Sequence, residues 1–366
     1  MARFIKTLKK TALAASIASL ATVANATIVT SIKPLGFIAS SIADGVTDTE
    51  VLVPAGASPH DYSLKPSDIQ KLQGAELILW VGEDIDAFLD KTLRPMPFKK
   101  VLSIADFAEI GGLLEGEAHD HKHEHDHTHK HDHDHKHDHV HKHEHDHKHD
   151  HAHKHEHDHK HDHAHKHEHD HKHDHDHKHD HEHKHDHAHG HDHDHSTNWH
   201  VWYSPEISKI VATRLATRLT EAYPEKKEKI AQNLAEFNRT LAEQSEKIKQ
   251  QLAPVKEKGF YVFHDAYSYF NNAYGLKQTG YFTINPLVAP GAKTLAKIKQ
   301  EIKEHKVNCL FAEPQFTPKV IESLSKGTGV HVGRLDPMGD AVKLGVNSYA
   351  NFLQYTADSY FACLSK

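Results

Sequence analysis

Residues 119–195 constrain the fold most, because histidine occupies every odd position among them. The letters HKHEHDHKHDHA stand at residues 141–152 and return at once at residues 153–164. The even positions of the segment hold 11 Lys and 21 Asp or Glu, which gives a formal charge of −10. With almost no apolar side chain, the segment cannot bury enough surface to offset the entropy cost of ordering. We predict that it is a disordered insertion and that the fold is built from the rest of the chain.

The same segment, called the histidine run below, holds 39 of the chain's 44 histidines as possible metal ligands. Imidazoles and carboxylates on a chain without fixed geometry bind many ions weakly and without selectivity. Protons compete for the same nitrogens, so the run should lose metal as the pH falls. We therefore interpret the run from His119 to His195 as a low-affinity metal antenna, buffer or sensor, and expect the selective site elsewhere.

The first 26 residues have the pattern of a secretory signal peptide. Four basic residues stand within the first ten, a short apolar stretch follows, and the segment ends in Ala24-Asn25-Ala26. We predict cleavage before Thr27 and export to the periplasm. No other segment is apolar enough to span a bilayer, so direct membrane insertion is not expected. Outside the run the net charge is +3, so nucleic acid is not a favoured partner.

Strand and helix patterns alternate from Thr27 onwards. The β-rich stretches TIVTSI, TEVLVP, ELILWVG and KKVLSI are separated by the helical stretches PLGFIASSIADG, KPSDIQKLQG and DIDAFLDKTLR. The alternation returns in the last third of the chain with GFYVFH, LKQTGYFTI, VNCLFAEP and VHVGRLD as strands. This rhythm is typical of βαβ units with a parallel sheet. We predict an α/β fold with two four-stranded lobes.

A long charged helix is predicted between the lobes, over EKKEKIAQNLAEFNRTLAEQSEKIKQQL. Its apolar residues recur at intervals of three and four, which marks one buried face. The expected boundaries are a signal peptide over 1–26, a first lobe over 27–205 that includes the run, helices over 206–252 and a second lobe over 253–366. The long helix is expected to be a rigid linker between the lobes.

The chain has only two cysteines, Cys309 and Cys363. An exported protein is expected to pair them, because the compartment is oxidising. The alternative is two separate buried thiols. A disulfide would tie a late strand to the C-terminal helix.

Five histidines lie outside the run. His60 follows the strand TEVLVP, His200 stands in NWHVWYSP and His264 ends the strand GFYVFH, whereas His305 and His331 are expected to be a solvated helix residue and a partly buried strand residue. Ligands of open α/β sheets bind beyond the carboxyl ends of the strands. Taken alone, each of the first three is more often a structural residue than a metal ligand. Because the chain also carries the histidine run, we predict that these three bind metal together.

Five stretches, PHDYSLKPSD, WHVWYSP, FHDAYSYF, FAEPQF and LDPMG, resemble the periplasmic zinc-binding proteins of high-affinity zinc ABC transporters, the ZnuA family. The resemblance implies two lobes joined by a rigid helix, Zn²⁺ as cargo, an inner-membrane zinc ABC permease as partner, a monomer and no enzymatic activity. It makes His60, His200 and His264 the zinc ligands and agrees with a disulfide between the cysteines. Manganese-binding relatives are similar but carry a carboxylate where His264 stands, and three imidazoles favour zinc.

The fourth zinc ligand is the point at which the sequence departs from part of that family. Some members carry a glutamate immediately before the first histidine, whereas this chain has Pro59, which offers no donor. We expect Asp336 in GRLDPMG to bind the metal or a metal-bound water; Glu313 in FAEPQF is a weaker candidate, and water is the alternative. Either acid could instead pair with Arg334 or Lys343.

Three classes of function are compatible with these residues. The favoured one is a transport receptor that captures Zn²⁺ and passes it to a permease. A zinc hydrolase also fits three histidines with an open position, although no nucleophile motif or placed general base accompanies them. In the third, a metal store or chaperone, the run would carry the main function and the lobes would only support it.

Overall fold

The computed structural model describes residues 27–116, 197–316 and 319–366. The predictions for the signal peptide 1–26 and the histidine run 119–195 lie outside the described residues. Among the helices that are described, none has the length and apolar character needed to cross a membrane.

The first lobe is built on a sheet of four parallel strands in the order β2-β1-β3-β4. The strands are β1 (Thr27–Thr30), β2 (Asp48–Val51), β3 (Leu77–Trp80) and β4 (Val101–Ser103), and the helices are α1 (Lys33–Ile42), α2 (Pro66–Gly74), α3 (Glu83–Asp86) and α4 (Asp90–Leu93). Every residue of the inner strand β3 is buried, because both faces of a parallel sheet are covered. The edge strand β2 alternates exposed and half-buried residues.

One helix of the first lobe differs from the sequence prediction. The stretch DIDAFLDKTLR forms the two short helices α3 and α4 instead of one continuous helix. Between them the N–H of Leu89 donates to the carbonyl of Asp86, a bond across three residues that tightens the chain into a turn. The apolar spacing survives the break, so periodicity alone did not reveal it.

A short antiparallel pair flanks the undescribed residues 117–196. It comprises β5 (Glu115–Gly116) and β6 (Thr197–Asn198), with Gly116 opposite Thr197. The last described residue before this segment and the first one after it are therefore neighbours in space.

Two long helices follow β6, α5 (Pro205–Ala222) and α6 (Lys227–Leu252). Ser204 caps α5, since its hydroxyl accepts a hydrogen bond from the N–H of Ile207, and Pro205 stands at the first helical position. The 26 residues of α6 span about 39 Å. The buried face of α6 contains Ile230, Phe237, Leu241 and Ile248 of the predicted apolar seam together with Asn233 and Leu252, whereas Leu234 of the seam is only half-buried.

The second lobe repeats the architecture with parallel strands in the order β10-β9-β7-β8. The strands are β7 (Phe260–His264), β8 (Gly280–Thr283), β9 (Cys309–Ala312) and β10 (His331–Arg334), and the helices are α7 (Ser268–Tyr274), α8 (Ala292–Lys303), α9 (Lys319–Thr328) and α10 (Ser348–Leu364). A disulfide between Cys309 and Cys363 joins β9 to α10, as predicted. The predicted fold class, two α/β lobes with a helical linker, is thus confirmed.

The two lobes share one continuous hydrophobic core. The ring of Phe37 on α1 lies 5.2 Å from that of Phe352 on α10, and Phe237 on α6 stacks at 5.6 Å on Tyr349. Gly339 has a φ of +62°, and a Cβ there would collide with both Phe37 and Phe352. The close approach of the lobes at this point therefore requires glycine.

Candidate metal centre

Three histidines from separate parts of the chain meet between the sheets. His60 lies in the loop after β2, His200 follows β6 and His264 is the last residue of β7. One possible ligand atom from each lies within 4.8 Å of the others. The Nε2 atoms of His200 and His264 are 3.2 Å apart, and the ring of His60 is centred 5.6 Å from both of theirs. The arrangement could hold one metal ion.

His200 is buried and hydrogen-bonded through its second ring nitrogen. The Oδ1 of Asn198 lies 2.8 Å from His200 Nδ1 and 3.0 Å from the backbone nitrogen of His200. The amide nitrogen of Asn198 donates to the carbonyl of Asp265 at 2.8 Å and contacts the hydroxyl of Ser268 at 3.2 Å. Asn198 was not predicted as a site residue from the sequence. The one sequence feature that could have indicated it is its position two residues before His200, a spacing at which Asn side chains often bond the backbone.

His264 is buried as well, and a carboxylate contacts its second ring nitrogen. Both oxygens of Glu313, which follows β9, lie 2.7 Å from His264 Nδ1. The hydroxyl of Tyr267 donates to the same carboxylate at 3.1 Å. Glu313 is only 2% exposed. It therefore stands behind His264, on the side of the ring away from His200.

His60 is held differently from the other two. It is half-buried, and its backbone N–H donates to the hydroxyl of Ser58 at 3.3 Å. Within the described residues, we find no hydrogen bond from another residue to either ring nitrogen of His60. Its loop is tied to the second lobe, since the N–H of Gly56 donates to Asp340 Oδ2 at 2.7 Å.

Burial keeps two imidazoles of this cluster, those of His60 and His200, neutral. Desolvation, followed by repulsion from His264, lowers the pKa of His60 to about 3. Desolvation also lowers the pKa of His200 well below its usual value, with further contributions from His264 and His60. A neutral imidazole offers a lone pair, so these two rings are ready to bind a cation at neutral pH.

The cluster opens into a cleft lined by both lobes. The cleft has a volume of about 340 Å³. Asp84 and Ile85 border it from the first lobe, and Asp265, Ile284 and Asn285 border it from the second. A small ion can therefore reach His60 and His200 from solvent.

The structure does not bring Asp336 into this cluster. Among the described residues, the group whose ligand atoms lie within 4.8 Å contains the three histidines alone. Asp336 is buried, and its Oδ1 accepts hydrogen bonds from the amide of Gln315 at 2.8 Å and the N–H of Met338 at 3.0 Å. Its Oδ2 accepts from the N–H of Asp340 at 2.7 Å. These bonds hold the carboxylate within its own turn.

The other two histidines outside the run lie apart from the cluster. His305 follows the end of α8, is exposed and has a φ of 56°. His331 begins β10 and is exposed, whereas the sequence suggested a partly buried residue. The reason is that β10 is an edge strand of its sheet, where side chains reach solvent.

Comparison with known proteins identifies the family. The family described as "Zinc-uptake complex component A periplasmic", or ZnuA, matches residues 28–363. The chain belongs to the ZnuA family. Its sequence is 64% identical over 361 residues to the high-affinity zinc uptake system protein ZnuA of Haemophilus influenzae, covering 99% of both chains. It is 51% identical over 359 residues to the protein of that name from Haemophilus ducreyi, covering 98% of this chain and 99% of the relative.

A solved ZnuA crystal structure has the same fold. It superposes with a TM-score of 0.63 at 20% sequence identity and covers 93% of this chain and 99% of its own. The ZnuA family comprises components of zinc-uptake systems and not enzymes. The expectation of a solute-binding protein, as opposed to a hydrolase, is therefore confirmed.

Proposed function

We propose that this protein captures Zn²⁺ in the periplasm, binds it in the interlobe cleft through His60, His200 and His264, and delivers it to an inner-membrane ABC permease. The observation that carries the proposal is the convergence of three imidazoles, two of them fully buried, at the end of a cleft. The names of the ZnuA relatives, which describe zinc uptake, support zinc as the cargo.

The spacing of the two buried nitrogens favours a tetrahedral zinc ion. Zinc–nitrogen bonds are about 2.0–2.1 Å long, so two nitrogens on a tetrahedral ion are roughly 3.3 Å apart. The Nε2 atoms of His200 and His264 are separated by 3.2 Å. Neutral imidazoles also suit zinc better than they suit manganese or magnesium, which prefer oxygen ligands.

We propose water as the fourth ligand. Asp336 is not part of the group whose ligand atoms lie within 4.8 Å of one another, and its carboxylate already accepts hydrogen bonds from Gln315, Met338 and Asp340. A bound water exchanges readily, which suits a carrier that must release its cargo. Binding through Asp336 is the alternative.

The histidine run has an accessory role in this proposal. It collects ions weakly, while the cleft holds one ion tightly. Export by the predicted signal peptide and a monomeric state complete the proposal, and the word "periplasmic" in the family's description supports the location.

The test replaces each histidine outside the run in the full mature chain. We expect His60→Ala, His200→Ala and His264→Ala each to abolish tight zinc binding, measured with free zinc buffered by a chelator so that weak sites stay empty. His305→Ala and His331→Ala are the controls and should bind as the wild type does. The indole of Trp202 lies 5.2 Å from the ring of His200, so tryptophan fluorescence can follow loading.

Equal losses in His331→Ala and His264→Ala would contradict the ligand assignment. Retention of tight binding in all three cleft variants would overturn the proposed function.

A further inference from the structure

We infer that Asn198 and Glu313 are positioning residues that hold His200 and His264 in the one tautomer that can bind a cation in the cleft, with Nδ1 protonated and Nε2 bare. His60 completes the site, and the described part of the chain provides no such partner for its ring. The inference rests on the proposed function, because it concerns how the same cleft holds its cargo.

The contacts of Asn198 fix which end of its side-chain amide faces His200. The backbone N–H of His200 can only donate, so the atom 3.0 Å from it must be the amide oxygen. On the other side, the carbonyl of Asp265 can only accept, so the atom 2.8 Å from it must be the amide nitrogen. The oxygen lies 2.8 Å from His200 Nδ1, which must therefore carry the proton. In the neutral ring, Nε2 is then left with its lone pair.

Glu313 fixes His264 by a simpler argument. Both carboxylate oxygens lie 2.7 Å from Nδ1, and a carboxylate accepts only, so Nδ1 carries the proton. The bond from the hydroxyl of Tyr267 holds the carboxylate in place. As a carboxylate, Glu313 also brings a negative charge close to the buried site. That charge offsets part of the cost of burying a divalent ion.

The two assignments turn the Nε2 atoms of His200 and His264 towards each other at 3.2 Å, close to the spacing of two nitrogens on one tetrahedral zinc ion. In the neutral rings the two lone pairs repel each other at this distance, and a cation between them removes the repulsion. Asn198 and Glu313 therefore hold the pair in the orientation that a cation needs, whereas the described residues place no such partner behind the ring of His60.

The experiment compares four variants of the full mature chain in chelator-buffered zinc. We expect Asn198→Ala and Glu313→Ala to weaken tight binding by about 10–100-fold, the range typical of lost partners behind a ligand. Glu313→Gln should recover part of this loss, because the amide oxygen still accepts from Nδ1 while the charge is gone. Asn198→Asp should keep the acceptor for His200 but lose the donor to Asp265.

The controls are Asn233→Ala and Asp86→Asn, which alter a buried amide and a buried carboxyl that have no hydrogen bond to the three histidines among the described residues. Asn233 donates to the carbonyls of Ile42 and Asp44 much as Asn198 donates to that of Asp265. The controls should change the melting temperature of the metal-free protein without changing zinc affinity. X-ray absorption of protein loaded with one equivalent should show three ordered imidazoles in the wild type and the controls, and fewer or disordered ones in Asn198→Ala.

Two results would overturn the inference. One is wild-type affinity in Asn198→Ala and Glu313→Ala while His200→Ala and His264→Ala lose binding, which would leave the proposed function intact. The other is a loss of zinc affinity that is proportional to the loss of melting temperature across all variants, which is the result expected if Asn198 and Glu313 only stabilise the fold. Retained binding in the two histidine variants would instead refute the proposed function itself.

Discussion

At the scale of single residues, Asp86 combines full burial with an ionisable group. Its Oδ2 accepts hydrogen bonds from the hydroxyl of Ser31 at 2.7 Å and the N–H of Val81 at 2.9 Å, so it joins the ends of β1 and β3. Desolvation raises the pKa of Asp86 to about 7, although these two bonds act in the opposite direction. The folded protein therefore holds this proton more tightly than the unfolded chain does.

This raised pKa predicts a specific pH dependence of stability. The folded state binds more protons between pH 4 and 7, so the free energy of unfolding falls as the pH rises through that window. From an unfolded value of 3.8, the shift corresponds to at most about 4 kcal/mol in total. Asp86→Asn removes this contribution. Relative to the wild type, the metal-free variant should gain about 3 kcal/mol between pH 5 and pH 8, measured by urea unfolding.

Both proteins share all other titrating groups, so the comparison isolates Asp86. A difference between variant and wild type that stays constant with pH would show that Asp86 is ionised in both states.

The variant Asp336→Asn distinguishes water from Asp336 as the fourth ligand. If water is the fourth ligand, Asp336→Asn should weaken tight zinc binding by no more than about 10–100-fold, the range for residues that contact a ligand and not the metal. The NH2 group of the new amide would face the N–H of either Met338 or Asp340 and lose that hydrogen bond, so the melting temperature should fall. Zinc competition in chelator buffers and a crystal structure of the zinc form provide the measurements. A loss well beyond 100-fold, at unchanged melting temperature, would make Asp336 a ligand.

The sequence predicted which histidines meet but not what holds them. His60 and His264 each follow or end a strand, and the rule that ligands bind at the carboxyl ends of strands brought them together. Glu313 stands 49 residues from His264, and no local pattern links a side chain to a partner that distant. Asp336 as a ligand of the metal or as a partner of a metal-bound water stays a prediction; the bonds of its carboxylate to the N–H groups of Met338 and Asp340 could not be foreseen from the sequence.

At the scale of helices and strands, hydrophobic pattern predicted the sheets well. Stretches such as LILW and CLFA are apolar at every position, and in an α/β fold such stretches form the interior strands of a parallel sheet, where both faces are covered. The split between α3 and α4 was not predictable in this way, because the apolar residues Ile85, Phe88, Leu89 and Leu93 keep helical intervals across the break. The pairing of β5 with β6 was missed as well, since two-residue strands carry no periodicity.

The disulfide between β9 and α10 should contribute substantially to thermal stability. Cys309 and Cys363 are separated by 54 residues, and closing a loop of that length restricts the unfolded chain by about 4 kcal/mol. Replacing both with alanine should therefore lower the melting temperature by roughly 10 °C. The measurement is thermal unfolding of the metal-free protein with and without a reducing agent. The reductant should lower the melting temperature of the wild type and leave the double variant unaffected; equal responses would contradict the prediction.

At the scale of the whole molecule, the pairing of β5 with β6 predicts that residues 119–195 can be removed. Gly116 and Thr197 lie opposite each other, so the few residues left between them suffice for a hairpin connection. The deleted protein should keep one tight zinc site and lose only weak additional equivalents. Isothermal titration of both proteins would measure the number of each class. Disappearance of the tight class would mean that the run itself is the receptor.

The shared core determines how far the two lobes can swing. A hinge motion wide enough to part Phe37 from Phe352 would expose two large aromatic rings to water. Each ring costs about 1.5–3 kcal/mol to expose, so the open form would be populated by fewer than roughly one molecule in a hundred. If the cleft carries zinc as proposed, we therefore expect exchange of the ion to involve the loop that carries His60. The hydrogen bond from Gly56 to Asp340 fastens this loop to the second lobe, so we expect its breaking to accompany release.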